Sequence, residues 1–155
     1  AMSDDLIIDV LNHPSEKVKL ATLKLIEQKN TPTAENFLLP FLKNNTSPLL
    51  IAQSLIIMCR NKAASDIILP YMEHTNLQVR KAALAGLYFY GSQEIKEYIT
   101  GILKEMTVST DTAERLIVAR ILSKEENSTQ IDMILQLMND NDATVIKTGF
   151  LAAGK

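Results

Sequence analysis

The sequence contains few of the residues that carry most protein chemistry. Among its 155 residues are one cysteine, two histidines, five glycines and no tryptophan. A single cysteine cannot form an internal disulfide, which fits a reducing compartment. The glycines are scattered, and no phosphate-binding glycine loop, paired metal motif or nucleophile elbow is present. We therefore expect no enzyme activity, no cofactor and no metal site.

Charge and apolar runs argue against two further classes of protein. The net charge is −2 and the isoelectric point is near 5.7, which argues against a nucleic-acid-binding surface. No apolar run approaches the roughly 20 residues of a membrane span, because the longest, Pro48 to Cys59, contains Gln53 and Ser54. No charged-then-apolar leader opens the chain. These features predict a cytoplasmic protein that neither enters a membrane nor binds nucleic acid.

What the sequence does contain is an internal repeat. An apolar residue closes one helix, a short polar turn follows, and seven residues later an apolar residue opens a second helix. The closing and opening residues pair as Leu11 with Val18, Leu42 with Leu49, Met72 with Val79, Met106 with Ala113, and Met138 with Val145. Because the opening residues recur every 30 to 34 positions, we expect them to occupy equivalent places in stacked helical hairpins.

The period predicts an all-α chain of about five helical hairpins that form one domain over residues 1–155. First helices are predicted at 4–12, 34–44, 64–73, 94–106 and 128–138, and second helices at 15–29, 48–61, 77–90, 111–123 and 142–154. The hairpins thus cover 4–29, 34–61, 64–90, 94–123 and 128–154. The favoured architecture is a right-handed α-solenoid, and a plain helical bundle is the alternative. Since the last helical pattern still runs at Lys155, we also expect a fragment of a longer protein.

Two prolines occupy the same phase of the repeat. Pro40 and Pro70 each lie inside a predicted first helix, where proline removes a backbone hydrogen bond and costs about 3 kcal/mol unless a kink suits the packing. The occurrence of proline at the same repeat position in two hairpins therefore indicates that their first helices are bent.

The third repeat resembles a known family. Its pattern, Asn76-x-x-Val79-Arg80-Lys81-Ala82-Ala83-x-Ala85-x-Leu87-x-x-x-Gly91, resembles the HEAT repeat in the short form of phycocyanobilin-lyase-like proteins, with weaker copies at 15–21 and 141–147. The resemblance implies an α-solenoid whose second helices line the concave side. The family's usual arginine after the valine occurs here only as Arg80, with Lys19 as a partial substitute, so we expect no regular Asp–Arg ladder between repeats.

The candidate contact surface is the solvent-facing stripe of the second helices, two, six and nine residues after each opening residue. These offsets share one helical face. They give a basic rim of Lys81, Arg115 and Lys147, an aromatic anchor in Tyr88, and apolar contacts in Leu55, Met58 and Leu122. An apolar floor with a basic rim suits an acidic, partly apolar peptide. The alternative is that Leu55 and Met58 are buried, through tight curvature or rotation of their helix.

Three residues with reactive side chains are predicted to be structural. His13 and His74 each follow a closing residue by two positions, which places them two repeats and on the order of 20 Å apart. That separation is too large for a shared metal ion. Cys59 lies in an apolar helix with no histidine nearby, which is typical of a buried thiol.

The leading hypothesis for function is therefore a protein–protein interaction scaffold. A soluble regulatory domain of a larger enzyme or transporter is the alternative. A chromophore lyase, known among proteins with this short repeat, and a helical-repeat DNA glycosylase are less favoured, because the chain lacks a reactive constellation and a strongly basic groove.

Overall fold

All regular secondary structure is helical in the residues that the computed structural model describes, which are 3–29, 31, 34–63 and 65–155. The expectation of an all-α fold is confirmed. The first helices are α1 (Asp4–Leu11), α3 (Ala34–Asn44), α5 (Ser65–Ile68) with the 3₁₀ helix Leu69–Glu73, α7 (Gln93–Thr107) and α9 (Ile131–Met138). The second helices are α2 (Glu16–Lys29), α4 (Pro48–Arg60), α6 (Leu77–Tyr90), α8 (Thr112–Leu122) and α10 (Ala143–Ala153).

Nine of the ten predicted helices begin and end within about one residue of the structure. Residue 64, where the fifth helix along the chain was predicted to begin, lies outside the described residues. The exception is α9, which begins at Ile131 rather than at 128. Ser128 Oγ accepts a hydrogen bond from the Gln130 backbone N–H (3.1 Å), which gives these residues a turn in place of a helical start.

One hydrogen bond recurs in all five hairpin turns. It joins a side chain to the backbone N–H two residues later, which belongs to the residue immediately before each second helix. We call that later residue the start residue. The five bonds run to His13 Nδ1 from Ser15, Asn45 Oδ1 from Ser47, His74 Nδ1 from Asn76, Ser109 Oγ from Asp111, and Asp140 Oδ1 from Asp142, at 2.9 to 3.1 Å.

The start residues then fix the first turn of their helices. The side chains of Asn76, Asp111 and Asp142 accept hydrogen bonds from backbone N–H groups of the turn that follows. These groups have no partner within the helix, so a short polar side chain stabilises the helix start by about 1 kcal/mol. The repeat therefore depends on local turn chemistry as well as on apolar spacing.

The chain divides into two compact units, residues 1–96 and 97–155. In the first unit α4 packs between α2 and α6, while α1 packs on α2, α3 on α4, and the 3₁₀ helix on α6. Its core includes Leu23, Leu55 and Leu87, each no more than 2 % exposed. In the second unit α10 packs against both α8 and α9 around Val118 and Leu137. None of the described helices is long and apolar enough to cross a membrane.

The two prolines of equal phase have different outcomes. Pro40 lies inside α3, which continues as an α-helix to Asn44. In the third hairpin the α-helix stops at Ile68, and Pro70 lies in the 3₁₀ helix that follows. The missing N–H of proline is thus accommodated within an intact helix in one case and by a change of helix type in the other.

Two glycines allow second helices to approach their neighbours closely. A Cβ atom on Gly86 of α6 would lie 2.6 Å from Cys59 Sγ of α4. A Cβ atom on Gly149 of α10 would lie 3.0 Å from the backbone carbonyl carbon of Leu137 and from the backbone nitrogen of Met138. The second contact is the stricter, because backbone atoms of α9 cannot rotate away as a side chain can.

We predict that Gly149→Ala destabilises the protein although alanine favours helix. The helical preference contributes about 1 kcal/mol, whereas forcing a methyl group against the α9 backbone costs about 1–3 kcal/mol. Gly101→Ala is the matched control, since Gly101 also lies within a helix and its Cβ would meet nothing within 4 Å. Urea denaturation should show a lower midpoint for Gly149→Ala and a raised one for Gly101→Ala. Equal stabilisation of both would contradict the close approach of α10 to α9.

Candidate partner-binding face

Most of the contact surface predicted from sequence is buried. Leu55, Met58, Tyr88 and Leu122 are each 0 % exposed, and Arg115 is 8 % exposed. The prediction that these residues face solvent is therefore wrong, and the alternative that Leu55 and Met58 are buried is confirmed. Only Lys81, which is half-buried, and Lys147, which is exposed, remain accessible.

The error is one of helical register. Val18, Val79 and Val145 each lie three residues after their start residue, but the predicted opening residues Leu49 and Ala113 lie only two after theirs. One residue turns a helix by about 100°, so the stripe predicted on α4 and α8 was rotated into the core. The true equivalents of Val79 are Leu50, which is 2 % exposed, and Glu114.

The burial of Tyr88 does not come from an error of register, because the register predicted for α6 is correct. It lies at the margin of the exposed face of α6, where the ring packs edge-on to Phe89 with centroids 5.2 Å apart. Lys96 Nζ lies 4.7 Å from the centroid of the Tyr88 ring. These contacts make Tyr88 a core residue that also holds a cation against its face.

Counting from the start residues gives the face that is exposed. Positions two, five, nine and thirteen after each start residue fall within an arc of about 80°. We call this face the outer stripe. In the first unit it comprises Lys17, Leu20, Lys24 and Gln28; Leu49, Ala52, Ile56 and Arg60; and Gln78, Lys81, Ala85 and Phe89. In the second unit it comprises Ala113, Leu116 and Arg120 of α8, and Thr144, Lys147 and Leu151 of α10, because both helices end before the thirteenth position. Only Ala52 among them is buried.

Charge is segregated on the outer stripe. None of the 18 aspartate and glutamate residues lies on it, although the chain is net acidic. Its cations are Lys17, Lys24, Arg60 and Lys81 in the first unit, and Arg120 and Lys147 in the second. The carboxylate at its margin, Glu27, accepts hydrogen bonds from Arg60 (2.9 Å) and Gln53 (2.7 Å). The stripe itself therefore contains cations and no acids, although Arg60 is paired with Glu27 at its margin.

The first unit also provides an apolar floor between cationic edges. Leu49 and Ile56 of α4 are half-buried, so each leaves part of its side chain accessible. Because α4 packs between α2 and α6, these residues lie between the lysines of α2 and Lys81 of α6. The floor and rim expected from sequence are thus present, but they are formed largely by other residues than those predicted.

Arg115 belongs to a buried polar clamp in the second unit. Its Nε and Nη2 atoms donate to the two carboxylate oxygens of Asp140 at 2.7 and 3.0 Å. Nη1 donates to the Ser109 carbonyl (2.9 Å), and Nη2 donates also to Asn141 Oδ1 (3.0 Å). Arg115 lies four residues after its start residue, as Arg80 does. Arg115 follows Glu114 rather than a valine, so it does not match the sequence pattern at Arg80, and the clamp joins the fourth hairpin to the fifth.

The clamp changes the acidity of its carboxylate. The hydrogen bond from Arg115 holds the pKa of Asp140 below its ordinary value, and the backbone N–H of Asp142 acts in the same direction. The side chains of Arg115 and Asp140 are only 10 % and 6 % exposed, so the pair is shielded from water. Its paired hydrogen bonds hold the turn at Asp140 against α8. It is a structural pair rather than a surface for partners.

The three residues with reactive side chains have structural roles. His13 and His74 accept the turn hydrogen bonds described above, as predicted from their common phase. Cys59 is buried, and loss of hydration raises the pKa of its thiol to about 12, which keeps it protonated and unreactive at neutral pH. Among the described residues, no three His, Cys, Asp or Glu side chains group closely enough to hold a metal ion.

Sequence reasoning missed Lys17, Ile56 and Arg120 of the outer stripe. The signal that finds them is the polar residue before each second helix, because it sets the helical phase directly. Apolar spacing is ambiguous at Leu49-Leu50, where either leucine could open the helix, and misleading at Ala113-Glu114, where the equivalent position is polar.

We predict that Asp140→Asn destabilises the protein by about 2–3 kcal/mol at pH 7, because Arg115 loses its buried counter-charge. The amide preserves the turn acceptor, as Asn45 does in the second hairpin. Since the folded pKa of Asp140 is lowered, its stabilisation is complete above the unfolded pKa of about 3.9 and declines as the pH falls towards the folded value. The denaturation midpoints of the two proteins should therefore differ at pH 7, and the difference should shrink as the pH falls below the unfolded pKa of about 3.9. A difference independent of pH would contradict the charge-based account.

In comparisons with known proteins, no protein-family model matches the chain and no curated protein is significantly similar to it.

Proposed function

We propose that the chain is a non-catalytic interaction module, a solenoid of HEAT-like hairpins whose outer stripe binds an acidic, partly apolar segment of another protein. The observation that carries the proposal is the absence of aspartate and glutamate from the outer stripe of a chain with 18 such residues and a net charge of −2. Random solvation of helix faces would mix the two signs, whereas a surface that receives an acidic partner excludes like charge.

Two features support the HEAT-like, solenoid part of this proposal. The same side-chain-to-backbone hydrogen bond sets the start of all five second helices. Within each unit, successive second helices pack side by side, as α2, α4 and α6 do in the first and α8 and α10 do in the second. Repetition of one hairpin with neighbour-to-neighbour packing is typical of repeat proteins, whose extended faces are commonly used for binding.

The first unit supplies the best-defined site. Lys17 and Lys24 are exposed on α2 and can steer an acidic segment towards α4. Leu49 and Ile56 then offer apolar area, worth about 25 cal/mol for each Å² that a partner removes from water. A segment that alternates acidic and apolar side chains would gain both from attraction to the lysines and from burial of apolar area.

An acidic protein segment fits the stripe better than a nucleic acid does. The cations of the first unit lie mainly on α2 and α6, and the apolar stripe residues of α4 separate them, so positive charge does not follow one continuous track. Single-stranded nucleic acid also needs aromatic faces for base stacking, and the stripe offers only the half-buried Phe89. A regulatory domain within a larger enzyme or transporter would use the same surface for an internal partner.

We predict that peptides selected for binding from a random display library are enriched in Asp and Glu with interspersed Leu, Ile or Phe. Reversing two stripe charges, Lys17→Glu with Lys24→Glu, should weaken binding of a selected peptide about tenfold, mainly by slowing association at low salt. The matched control is Lys43→Glu with Lys104→Glu, which makes the same change of charge at exposed positions on first helices. Fluorescence anisotropy measures the affinities, and circular dichroism checks folding.

Two results would contradict the proposal. Equal loss of affinity in the stripe and control variants would show that net charge alone drives binding. A single-stranded oligonucleotide that binds more tightly than every selected peptide, and that loses affinity in the stripe variant, would assign the stripe to nucleic acid instead.

A further inference from the structure

A cavity of about 330 Å³ lies in the first unit between the end of α1, the start of α2 and one face of α3. Its lining includes Phe37 and Phe41 of α3 and Lys19 of α2. The lining also includes three asparagines, Asn12, Asn44 and Asn45. The cavity thus combines one cation, several hydrogen-bonding groups and aromatic surface, which is the composition of many small-ligand sites.

The cavity occupies the same place in the repeat as the clamp of the second unit. Lys19 lies four residues after its start residue, Ser15, just as Arg115 lies four after Asp111. Asn45 is the turn acceptor of the following hairpin, as Asp140 is. In the second unit these two positions hold a guanidinium bonded to a carboxylate at 2.7 Å. In the first unit they hold an ammonium and a neutral amide.

The difference leaves Lys19 without an internal counter-charge. Among the described residues, no carboxylate forms an ion pair with Lys19 Nζ, and Asn45 Oδ1 already accepts from the Ser47 backbone N–H at 3.0 Å. Lysine also has a single ammonium group in place of the forked guanidinium of arginine. It therefore cannot reproduce the geometry in which Arg115 bonds to two carboxylate oxygens and a turn carbonyl together. The space that the clamp fills in one unit is therefore open in the other.

We propose that this cavity binds a small monocarboxylic acid with an apolar body. The ligand carboxylate pairs with Lys19 and takes the place that the Asp140 carboxylate has beside Arg115. The asparagine amides at the rim donate to its second oxygen, and the apolar body packs on Phe37 and Phe41. The fold itself shows the chemistry that satisfies a cation at this position, since its other copy of the site contains a carboxylate.

This site is separate from the outer stripe. The position of Lys19 is turned by about 140° from the centre of the stripe on α2, where Lys24 lies. The inference therefore does not rest on the proposed function, and either can fail alone.

The experiment is a titration followed by amide ¹H–¹⁵N correlation spectra, with 3-phenylpropionate as the probe. Its neutral amide, 3-phenylpropionamide, tests the need for charge, and inorganic phosphate tests the need for an apolar body. We expect saturable shifts around Lys19, Phe41 and Asn45 with the acid, and affinities at least tenfold weaker for the amide and for phosphate, because a lost charge-assisted bond or a lost apolar contact costs about that factor.

Variants separate a binding role of Lys19 from a structural one. Lys19→Met should weaken binding about tenfold, Lys19→Arg should retain it, and Lys24→Met on the outer stripe should leave it unchanged. Asn45→Asp places an internal carboxylate where Asp140 stands in the second unit. It should therefore raise the melting temperature at pH 7 and weaken binding of the acid at the same time.

The proposal is overturned if the amide or phosphate binds as tightly as the acid, if no probe binds, or if Lys19→Met keeps the affinity of the unaltered protein. Asn45→Asp with unchanged stability and unchanged binding would overturn the equivalence of the two sites on which the inference is built.

Discussion

The rest of the structure depends on one interaction, the hydrogen bond that the backbone N–H of each start residue donates to a turn side chain. It occurs in each of the five hairpins, with imidazole, amide, hydroxyl or carboxylate as the acceptor. By tying down one backbone N–H just before the helix, it fixes where the helix begins and hence the direction of every side chain on it. Acceptors of such different chemistry are equivalent here because the turn requires only a lone pair at the right distance.

The position of a cationic residue relative to the start residue of its helix decides whether its side chain is buried or exposed to solvent. Arg115 and Lys147 appear alike in a stripe drawn from apolar spacing, yet they lie four and five residues after their start residues. That difference of one residue buries Arg115 against Asp140 and leaves Lys147 exposed. A buried cation needs a partner to offset the loss of hydration, whereas an exposed one needs none. A cationic side chain is therefore buried in one helical phase and exposed to solvent in the next.

The two units use this shared frame differently. In the second unit the turn acceptor Asp140 does two tasks, because one oxygen accepts the turn N–H while both accept from the guanidinium. In the first unit Asn45 performs only the first task, and the cavity beside Lys19 remains. Two differences at repeated positions, lysine for arginine and amide for carboxylate, thus distinguish the open cavity of the first unit from the bonded clamp of the second. The outer stripe does not vary in this way and remains free of acids in both units.

The sequence by itself determined the all-helical fold, the hairpin boundaries and the structural roles of His13, His74 and Cys59, because these follow from local spacing, helix-start residues and composition. It could not determine the phase of α4 and α8, since Leu49 and Leu50 are equally apolar and Glu114 occupies a position that is apolar elsewhere. Only the tertiary structure placed Leu55, Met58, Tyr88 and Leu122 in the core and paired Arg115 with Asp140. The physical reason is that burial depends on which neighbouring helix covers a face, and a rotation of about 100° per residue makes that outcome sensitive to a single position.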